Sequence, residues 1–423
     1  MNYRQCLLNS FKAAVNAANP LHVVPPHLPK PPKGRTLVVG AGKASAAMAL
    51  AVEQHWPANA PMDGLVVTRY GHSLPTQKIK VIEAGHPVPD EQGVNATQQL
   101  INAVKALGSD DLLLCLFSGG GSSLLSAPVT HVTVSDLQNI TQQLLKSGAT
   151  IQEINTVRKH LSTVQGGRLA AMCNAPILAL IISDVVGDDP THIASGPCAP
   201  DPTTYADTCN ILEYYETNTP ISIKQILHAG CNGILEETPK PGSAIFKNVE
   251  NRIISSARHA LNSADNFFHE HGIATAILGD TATGEARDVA KVYAALAMEI
   301  RRYSKPWKPP IALLSGGETT VTVKGNGRGG RNTEFLLSLA IELNGRDNVY
   351  AIACDTDGID GLEDNAGAIL TPNTWLQAEK MGINARRLLA QNDSYHFFEP
   401  LNDLVITGPT YTNVNDYRAI LIL

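Results

Sequence analysis

Short apolar runs that end in loops of glycine, serine or threonine and aspartate recur along this chain, and they alternate with segments of helical periodicity. Runs of Val, Ile and Leu without polar alternation are typical of strands buried on both faces, as in a parallel sheet covered by helices. Aromatic residues make up only 5% of the sequence, so aliphatic side chains must fill the core. The pattern predicts an α/β fold with a doubly wound sheet.

The length of the chain favours two domains. A chain of 423 residues exceeds the size at which a single core stops growing. The texture of the sequence changes around Pro239–Ser243, which predicts one α/β domain at 1–240 and a second at 241–423. Within the second domain, the stretch 251–272 is predicted to be a helix along its whole length.

Charge and cysteine usage narrow the function classes. The formal net charge is −6 and no Lys/Arg run occurs, which disfavours a nucleic-acid partner. The longest apolar stretches are too short to cross a bilayer, so we expect no membrane association. The seven cysteines are scattered and form no Cys-x-x-Cys pair. This spacing disfavours a zinc or redox motif and favours a reducing cytoplasm.

The polar loops that follow the predicted strands are the candidate binding sites, because ligands of open α/β sheets bind beyond the carboxyl ends of strands. These loops are Gly40–Ser45, Ser118–Ser123, Ser183–Asp189, Ser315–Thr320 and Asp355–Gly361. We call the first the Lys43 loop and the second the triple-glycine loop. Tight strand-to-helix turns are the alternative interpretation of each one.

The Lys43 loop and the triple-glycine loop suit an anion. A glycine turn ahead of a helix exposes unpaired N–H groups at the positive end of the helix dipole, and Lys43 adds a charge there. Three consecutive glycines would let a phosphate or carboxylate oxygen lie against the main chain. The predicted binding residues are Gly40, Gly42, Ser45, Ser118, Gly119, Gly120, Gly121 and Ser122.

The Lys43 loop matches neither common nucleotide motif. It is not GxxxxGK[ST], and Ser45 stands where GxGxxG has its third glycine. The next predicted strand ends in "VVTRYG", without the acidic residue that would hold a ribose diol. Arg69 could instead meet a 2′-phosphate, so an NADP site stays open as the weaker alternative.

Two further loops carry charged candidates. Arg328 and Arg331 lie in "GRGGRNTEF", and guanidinium groups can hold a carboxylate or phosphate bidentately. Carboxylates at strand exits can hold Mg²⁺ through substrate oxygens or accept a proton, with turn capping as the alternative. The candidate carboxylates are Asp184, Asp189, Asp357 and Asp360.

Catalysis by histidine or serine is a weaker option. His86 and His192 lie in proline-flanked loops, where a structural role is the alternative. Ser122 or Ser123 as a nucleophile lacks the GxSxG elbow of serine hydrolases.

Eight segments, in order, carry a resemblance to a known family. They are "VVGAGKASAAMA", "GLVVTRYGH", "EAGHPVPD", "LFSGGGSSLLSAP", "SDVVGDDPTHIASGP", "LLSGGETTVTVKGNGRGGRNTEF", "DTDGIDG" and "ITGPTYTNVND". Together they resemble the class II glycerate 2-kinases, which carry a MOFRL-type second domain and include members labelled hydroxypyruvate reductase. The match runs from about residue 1 to 418, with Tyr411 where the family pattern has glycine.

The resemblance implies phosphorylation of D-glycerate at its 2-hydroxyl by ATP with Mg²⁺. It also implies a Rossmann-like first domain, a MOFRL-type α/β second domain and an active site in the cleft between them. Together with the analysis of the polar loops, the resemblance predicts catalytic roles for Lys43, Arg328, Arg331 and Asp184. The predicted metal ligands are Asp189, Asp357 and Asp360, and the further binding residues are Ser315, Gly316, Gly317, Glu318 and Asn332.

The expected partners are therefore D-glycerate and ATP, in a cytoplasmic enzyme with a homodimer as the candidate assembly. An NAD(P)H-dependent hydroxypyruvate reductase is the alternative activity. A non-catalytic sensor of sugar acids or nucleotides is the alternative from another class.

Overall fold

The computed structural model describes residues 2–345 and 348–423, which form two compact units. The parallel-sheet unit comprises Pro20–Ile254, and the mixed-sheet unit comprises the chain up to Asn19 together with Ser255–Leu423. The chain passes between these units at 19/20 and at 254/255, which differs from the predicted domain boundary at 240/241.

The first helix, α1 (Tyr3–Asn16), explains one of these differences. Its buried face includes Leu7 and Phe11, and the Phe11 ring lies 5.9 Å from the ring of Tyr417. The Tyr417 hydroxyl donates a hydrogen bond to Ser10 Oγ at 2.9 Å. The amphipathic pattern predicts a docking helix, but only these long-range contacts show that it docks on the mixed-sheet unit.

The parallel-sheet unit alternates strands and helices. Its strands are β1 (Thr36–Ala41), β2 (Met62–Arg69), β3 (Ile79–Ala84), β4 (Leu112–Phe117), β5 (Ile177–Ile182) and β6 (Val249–Ser255). Its helices are α2 (Pro20–Val23), α3 (Ser45–His55), α4 (Glu91–Lys105), α5 (Gly121–Leu124), α6 (Val134–Lys146), α7 (Ile151–His160), α8 (Arg168–Ala171), α9 (Tyr205–Tyr214) and α10 (Ile221–Cys231).

The strand order is β3-β2-β1-β4-β5-β6, and β1 pairs in parallel with both β2 and β4. This order is that of a Rossmann-like doubly wound sheet, as expected. The order reverses between β1 and β4, and such a switch point opens a crevice beyond the strand ends. Ala41 lies opposite Val67 and Phe117, so the loops after β1 and β4 leave the sheet side by side.

Complete burial of the central strands fixes this arrangement. Every residue of β1 and of β5 is buried, and α4 contributes Leu100, Ile101 and Val104 to the same core. Burying a side chain of this size stabilises the fold by roughly 1.5–3 kcal/mol. A separate apolar cluster joins α6, α7, α9 and α10.

The mixed-sheet unit holds the remaining elements. Its strands are β7 (Ala274–Gly279), β8 (Gly284–Glu285), β9 (Ile311–Ser315), β10 (Thr319–Thr320), β11 (Val349–Asp355), β12 (Gly367–Leu370), β13 (Leu404–Val405) and β14 (Asp416–Ile422). Its helices, besides α1, are α11 (Ala257–Glu270), α12 (Ala286–Tyr303), α13 (Arg331–Leu343), α14 (Pro372–Lys380), α15 (Ala385–Ala390) and α16 (Tyr395–Phe398).

The main sheet of this unit has the order β13-β12-β11-β14-β9-β7. Strands β9 and β11 both pair antiparallel with β14, so they run parallel to each other. Their carboxyl ends therefore share one edge with the amino end of β14. There Ser315 lies opposite Arg418, and Asp355 lies opposite Asp416.

The stretch 251–272 is not one helix. Its first residues belong to β6, which ends at Ser255, and α11 begins only at Ala257. The β-branched pair Ile253 and Ile254 favours a strand, and Ile254 is buried. The helical periodicity of the following residues concealed this short edge strand.

In the part of the chain that the structure describes, no helix combines the length and the apolar character needed to cross a bilayer.

The close approach of β1 and β4 at their ends gives a stability prediction. Gly42 has φ +140°, and a Cβ there would lie 2.1 Å from Ser118 Oγ and 2.6 Å from the Ser118 carbonyl oxygen. Gly42→Ala should lower the free energy of unfolding by about 3 kcal/mol in urea denaturation. Gly71→Ala is the matched control, because Gly71 also has positive φ (+77°) but nothing within 4 Å of a new Cβ. Equal losses for both variants would show that the approach to Ser118 is unimportant.

Candidate functional site

Two loops at the switch point of the parallel sheet are joined by backbone hydrogen bonds. Ser118 N–H donates to the Ala41 carbonyl at 3.2 Å, and Lys43 N–H donates to the Gly119 carbonyl at 2.8 Å. Ala44 N–H donates to Ser118 Oγ at 3.0 Å. The Lys43 loop and the triple-glycine loop therefore form one rigid double turn.

Hydrogen bonds within the protein occupy the backbone donors of the Lys43 loop from Gly42 to Ser45. Gly42 N–H donates to the Val67 carbonyl at 3.1 Å, and Ser45 N–H donates to the Gly42 carbonyl at 3.2 Å. The buried Ser45 hydroxyl is placed 2.8 Å from both carbonyl oxygens. A Cβ on Gly40 would lie 2.3 Å from the Leu116 carbonyl oxygen. Gly40, Gly42 and Ser45 therefore have packing and hydrogen-bonding roles in the structure, and their role in ligand binding stays a prediction.

The triple-glycine loop keeps its donors. The N–H groups of Gly119, Gly120, Ser122 and Ser123 have no hydrogen-bond acceptor among the described residues. The Gly121 N–H, by contrast, donates to the Ser118 carbonyl at 3.2 Å. Of the two predicted anion-binding loops, this one alone presents a set of backbone donors to a ligand.

Two cationic or ionisable side chains lie beside this loop. A Cβ built on Gly120, which has φ +80°, would lie 2.7 Å from His86 Nε2 and 3.5 Å from Lys43 Cγ. A Cβ on Gly121 would lie 2.6 Å from the Ala194 side chain. The packing of the protein itself therefore requires glycine at both positions, whether or not a ligand binds there. The sequence alone left open whether His86 has a structural or a catalytic role, and the structure places its ring beside this loop.

The loop after β5 carries the first pair of candidate carboxylates. Asp184 is partly buried and Asp189 is exposed. One oxygen of Asp189 accepts a hydrogen bond from Thr191 N–H at 3.0 Å, so this residue caps a turn and keeps its second oxygen at the surface. Both remain candidates for contact with a substrate or its metal ion.

A buried ion pair near this loop was missed by the sequence reasoning. Lys159 Nζ lies 3.3 Å from Asp201 Oδ1 and donates to Thr191 Oγ1 at 2.8 Å. Burial lowers the pKa of Lys159, and Asp201 opposes that shift. The pair is 42 residues apart in sequence, and the only available signal was a lysine on the buried face of α7.

In the mixed-sheet unit, Arg331 lies within a cluster of carboxylates. Its Nε donates to Asp416 Oδ1 at 2.8 Å, its Nη1 to Glu318 at 2.7 Å and its Nη2 to Asp355 at 2.7 Å. Burial opposes its charge, but these carboxylates outweigh burial and raise the pKa of Arg331. Arg418 also donates to Asp416. Arg331 is thus paired with three carboxylates, including that of Glu318, and the roles of both residues as ligand contacts stay predictions.

Asp360 and Asn332 serve the start of α13. The Asp360 carboxylate accepts from Asn332 N–H at 3.0 Å, and from the N–H and hydroxyl of Thr333 at 2.9 and 2.8 Å. Both carboxylate oxygens thus accept hydrogen bonds at the start of α13, and a metal-ligand role for Asp360 stays a prediction. Burial raises the pKa of Asp360. Asn332 Nδ2 donates to Asp416 at 2.8 Å, which is also a structural contact.

The other candidates of this unit are also engaged. Arg328 pairs with Glu363 and its guanidinium lies 4.2 Å from the centre of the Tyr395 ring, although its side chain is 48% exposed. Asp357 is buried, and its Oδ1 accepts from Ile359 N–H at 2.9 Å.

The loop after β9 is packed against the protein. Ser315 is buried, and its hydroxyl has no partner among the described residues. The Gly316 carbonyl accepts from Arg418 at 3.1 Å, and a Cβ on Gly317, with φ +101°, would lie 2.3 Å from the Ala282 carbonyl oxygen. The Gly316 N–H donates to the Gly279 carbonyl at 2.9 Å. The binding role of this loop stays a prediction.

Tyr411, which replaces a glycine of the family pattern, has φ +57°. This is the left-handed region that glycine adopts without strain. The neighbouring Thr412 donates its hydroxyl to the Ala18 carbonyl at 2.7 Å, which is a structural contact within the unit.

A resident metal centre finds no support in the side-chain arrangement. Across residues 2–345 and 348–423, no group of three or more His, Cys, Asp or Glu side chains is placed to hold an ion. Mg²⁺ often binds through one or two carboxylates plus substrate phosphates. The exposed Asp189 suits that mode, in which the ion arrives with a nucleotide.

Strand order and an open donor set at the switch point define a Rossmann-like ligand-binding unit. Comparison with known proteins specifies it further. Residues 6–228 match the family model "Domain of unknown function (DUF4147)", and residues 311–416 match the MOFRL family.

Full-length relatives carry two kinds of name. A protein of Thermotoga maritima named D-glycerate 2-kinase is 42% identical, over 99% of this chain and 98% of its own length. A protein of Agrobacterium vitis named putative hydroxypyruvate reductase is 49% identical, over 99% of this chain and 94% of its own length. The crystal structure of a Thermotoga maritima glycerate kinase superposes with a TM-score of 0.89 at 40% identity, covering 100% of this chain and 99% of that one. The chain belongs to the class II glycerate 2-kinase family, which confirms the resemblance seen in its motifs.

The carboxylate cluster gives a second stability prediction. Asp416→Asn removes the buried charge shared by Arg331 and Arg418, and should lower the free energy of unfolding by about 3–5 kcal/mol. Asp288→Asn is the control in the same unit, because Asp288 pairs with Lys291 at an exposed position. Urea denaturation should show little change for the control. A loss no larger for Asp416→Asn would contradict the structural role assigned to the cluster.

Proposed function

We propose that this protein is a glycerate 2-kinase, which transfers the terminal phosphoryl group of MgATP to the 2-hydroxyl of D-glycerate. The family assignment supports a kinase acting on glycerate. The observation that carries the proposal is the triple-glycine loop, whose free N–H groups lie beside Lys43 at the switch point of the sheet. Backbone donors and a lysine in this arrangement suit phosphate oxygens.

In this reaction, each candidate residue of the parallel-sheet unit is assigned a role. Lys43 and the loop amides hold phosphate oxygens and neutralise charge as the phosphoryl group moves, which is the main demand of this reaction. A new bond forms between the 2-oxygen of glycerate and the terminal phosphorus, and the bond from that phosphorus to the bridging oxygen breaks to release ADP. Asp184 accepts the hydroxyl proton. Asp189 would hold Mg²⁺, which would neutralise charge on the ATP phosphates.

Of the two predicted arginines, Arg328 remains the catalytic candidate. Its side chain is half exposed and pairs with the single carboxylate of Glu363, so its charge is less fully compensated than that of Arg331. Arg331 is held by three carboxylates, so its charge is already compensated.

Hydroxypyruvate reduction is the second candidate, favoured by the name of the Agrobacterium vitis relative. A dinucleotide-binding site of this fold holds the pyrophosphate on the amides of the first turn. Here the amides of Gly42, Lys43, Ala44 and Ser45 are all bonded within the protein. This observation counts against a nicotinamide cofactor in that position.

We also propose a reducing cytoplasm as its compartment, because all seven cysteines are free. The homodimer stays a prediction.

Phosphorus NMR of purified protein with ATP, Mg²⁺ and D-glycerate tests the proposal. The expected product is 2-phosphoglycerate. A product phosphorylated at the 3-hydroxyl, or no product, would refute the proposed reaction. Oxidation of NADPH by hydroxypyruvate with the same protein would instead support the reductase.

The role of Lys43 has its own test. Lys43→Ala should lower kcat roughly 100-fold or more, because it removes charge from the phosphoryl-transfer site, while the melting temperature stays near that of the wild type. Lys80→Ala, at an exposed position of β3, is the control and should keep full activity. Near-wild-type turnover of Lys43→Ala would remove this lysine from the mechanism.

A further inference from the structure

Arg158 is a largely enclosed cation that nothing in the preceding account explains. It lies near the carboxyl end of α7, and its side chain lines a small pocket together with Ser122 of the triple-glycine loop. Other residues lining this pocket are Ser126, Ser162, Gln165, Thr141 and Leu137. The pocket therefore combines one positive charge with several hydroxyl groups.

The charge of Arg158 has no counter-ion among the residues that the structure describes. Other enclosed cations are paired, such as Lys159 with Asp201, Arg287 with Glu334 and Arg418 with Asp416. Among the described residues, no ion pair or side-chain hydrogen bond to the Arg158 guanidinium exists. A buried charge without a partner is costly. Burial lowers the pKa of Arg158 to about 10, so the group stays positive at neutral pH.

The hydroxyl of Ser122 is also poised to donate. It accepts a hydrogen bond from the Ser195 hydroxyl at 2.9 Å, which leaves its own proton for another acceptor. The position of Ser122 is fixed by Gln165, whose Nε2 donates to the Ser122 carbonyl at 2.8 Å and to the Leu125 carbonyl at 3.0 Å. A charged fork and a preplaced hydroxyl match the two oxygens of a carboxylate.

Pocket size limits what can enter. Its volume is about 20 Å³, which accommodates about one water molecule or a group of similar size. A carboxylate of a small hydroxy acid fits this limit, whereas a nucleoside does not.

We propose that Arg158 binds the carboxylate of the acid substrate, with Ser122 donating the second hydrogen bond. The substrate is then anchored beside the loop whose backbone donors await the phosphoryl group. This inference rests on the proposed kinase function for its substrate, but it names a binding residue that neither the motifs nor the family assignment supplied.

The competing interpretation is structural. Cations near the carboxyl end of a helix stabilise its dipole, and Arg158, Lys159 and His160 all lie in the last turn of α7. A dipole role would alter stability but would not distinguish one substrate from the other. Measuring KM for each of the two substrates therefore distinguishes the two interpretations.

Two variants test the proposal by steady-state kinetics. Arg158→Lys keeps the charge but loses the planar fork, and should raise KM for D-glycerate roughly ten-fold. Arg158→Met removes the charge and should raise it roughly 100-fold. KM for ATP should stay within about two-fold in both variants, and Arg35→Gln, an exposed arginine paired with Asp63, is the control.

Binding measurements make the test independent of turnover. Calorimetry should detect D-glycerate binding to the wild type, weaker binding to Arg158→Lys, and no binding of glycerol, which lacks the carboxylate. If the wild type binds D-glycerate through Arg158 but forms no phosphorylated product, the proposed function fails and this inference stands.

Three results would overturn the inference. The first is a lower melting temperature for Arg158→Lys with both KM values unchanged, which indicates the structural role. The second is a rise in KM for ATP instead of D-glycerate, which assigns Arg158 to a nucleotide phosphate. The third is the absence of any D-glycerate binding to the wild type. Should Arg158→Met fail to fold, Arg158→Lys alone still decides the question.

Discussion

Hydrogen bonds between the turns after β1 and β4 are the constraint on which the site depends. Ser118 bonds to Ala41 with its main chain and to Ala44 with its hydroxyl. These contacts lock the Lys43 loop against the triple-glycine loop at the switch point of the sheet. The N–H groups of the Lys43 loop are bonded within the protein, whereas those of Gly119, Gly120, Ser122 and Ser123 have no acceptor among the described residues. This difference supports the proposal that an anion binds at the triple-glycine loop. The glycines have two roles: they permit the close packing of the two turns, and they leave the main chain accessible.

In the mixed-sheet unit, by contrast, charged side chains are paired with each other within the protein. The register of β14 with β9 and β11 brings Asp355 and Asp416 to one edge, where Arg331 and Arg418 compensate them. Asp416 pairs with both arginines, so removing its charge leaves Arg418 without its carboxylate partner and weakens the pairing of Arg331. Arginine residues in a glycine-rich loop are therefore not in themselves evidence of an anion site. What matters is whether the guanidinium is already paired within the protein. Arg158 differs from Arg331 and Arg418 because it has no such partner among the described residues.

Much of the fold was predictable from local sequence. Apolar runs such as "LLLCLF" and "ILALII" gave β4 and β5, and the Gly/Ser/Asp loops correctly marked the strand exits. Tertiary pairing was not predictable, because the partners are far apart in the chain. Arg331 and Asp416 are 85 residues apart, and α1 joins elements beyond Ser255. For the same reason the sequence did not reveal that Ser45 and Asp360 form hydrogen bonds with distant residues of the protein.

Amide chemical shifts offer the most direct test of the central claim. Backbone NMR of the isotope-labelled protein would follow individual N–H groups during titration with a non-hydrolysable ATP analogue and Mg²⁺. Our account predicts large shifts for Gly119, Gly120 and Ser122, and small shifts for Gly42 and Ala44. The reverse pattern, with the Lys43 loop responding and the triple-glycine loop silent, would contradict it.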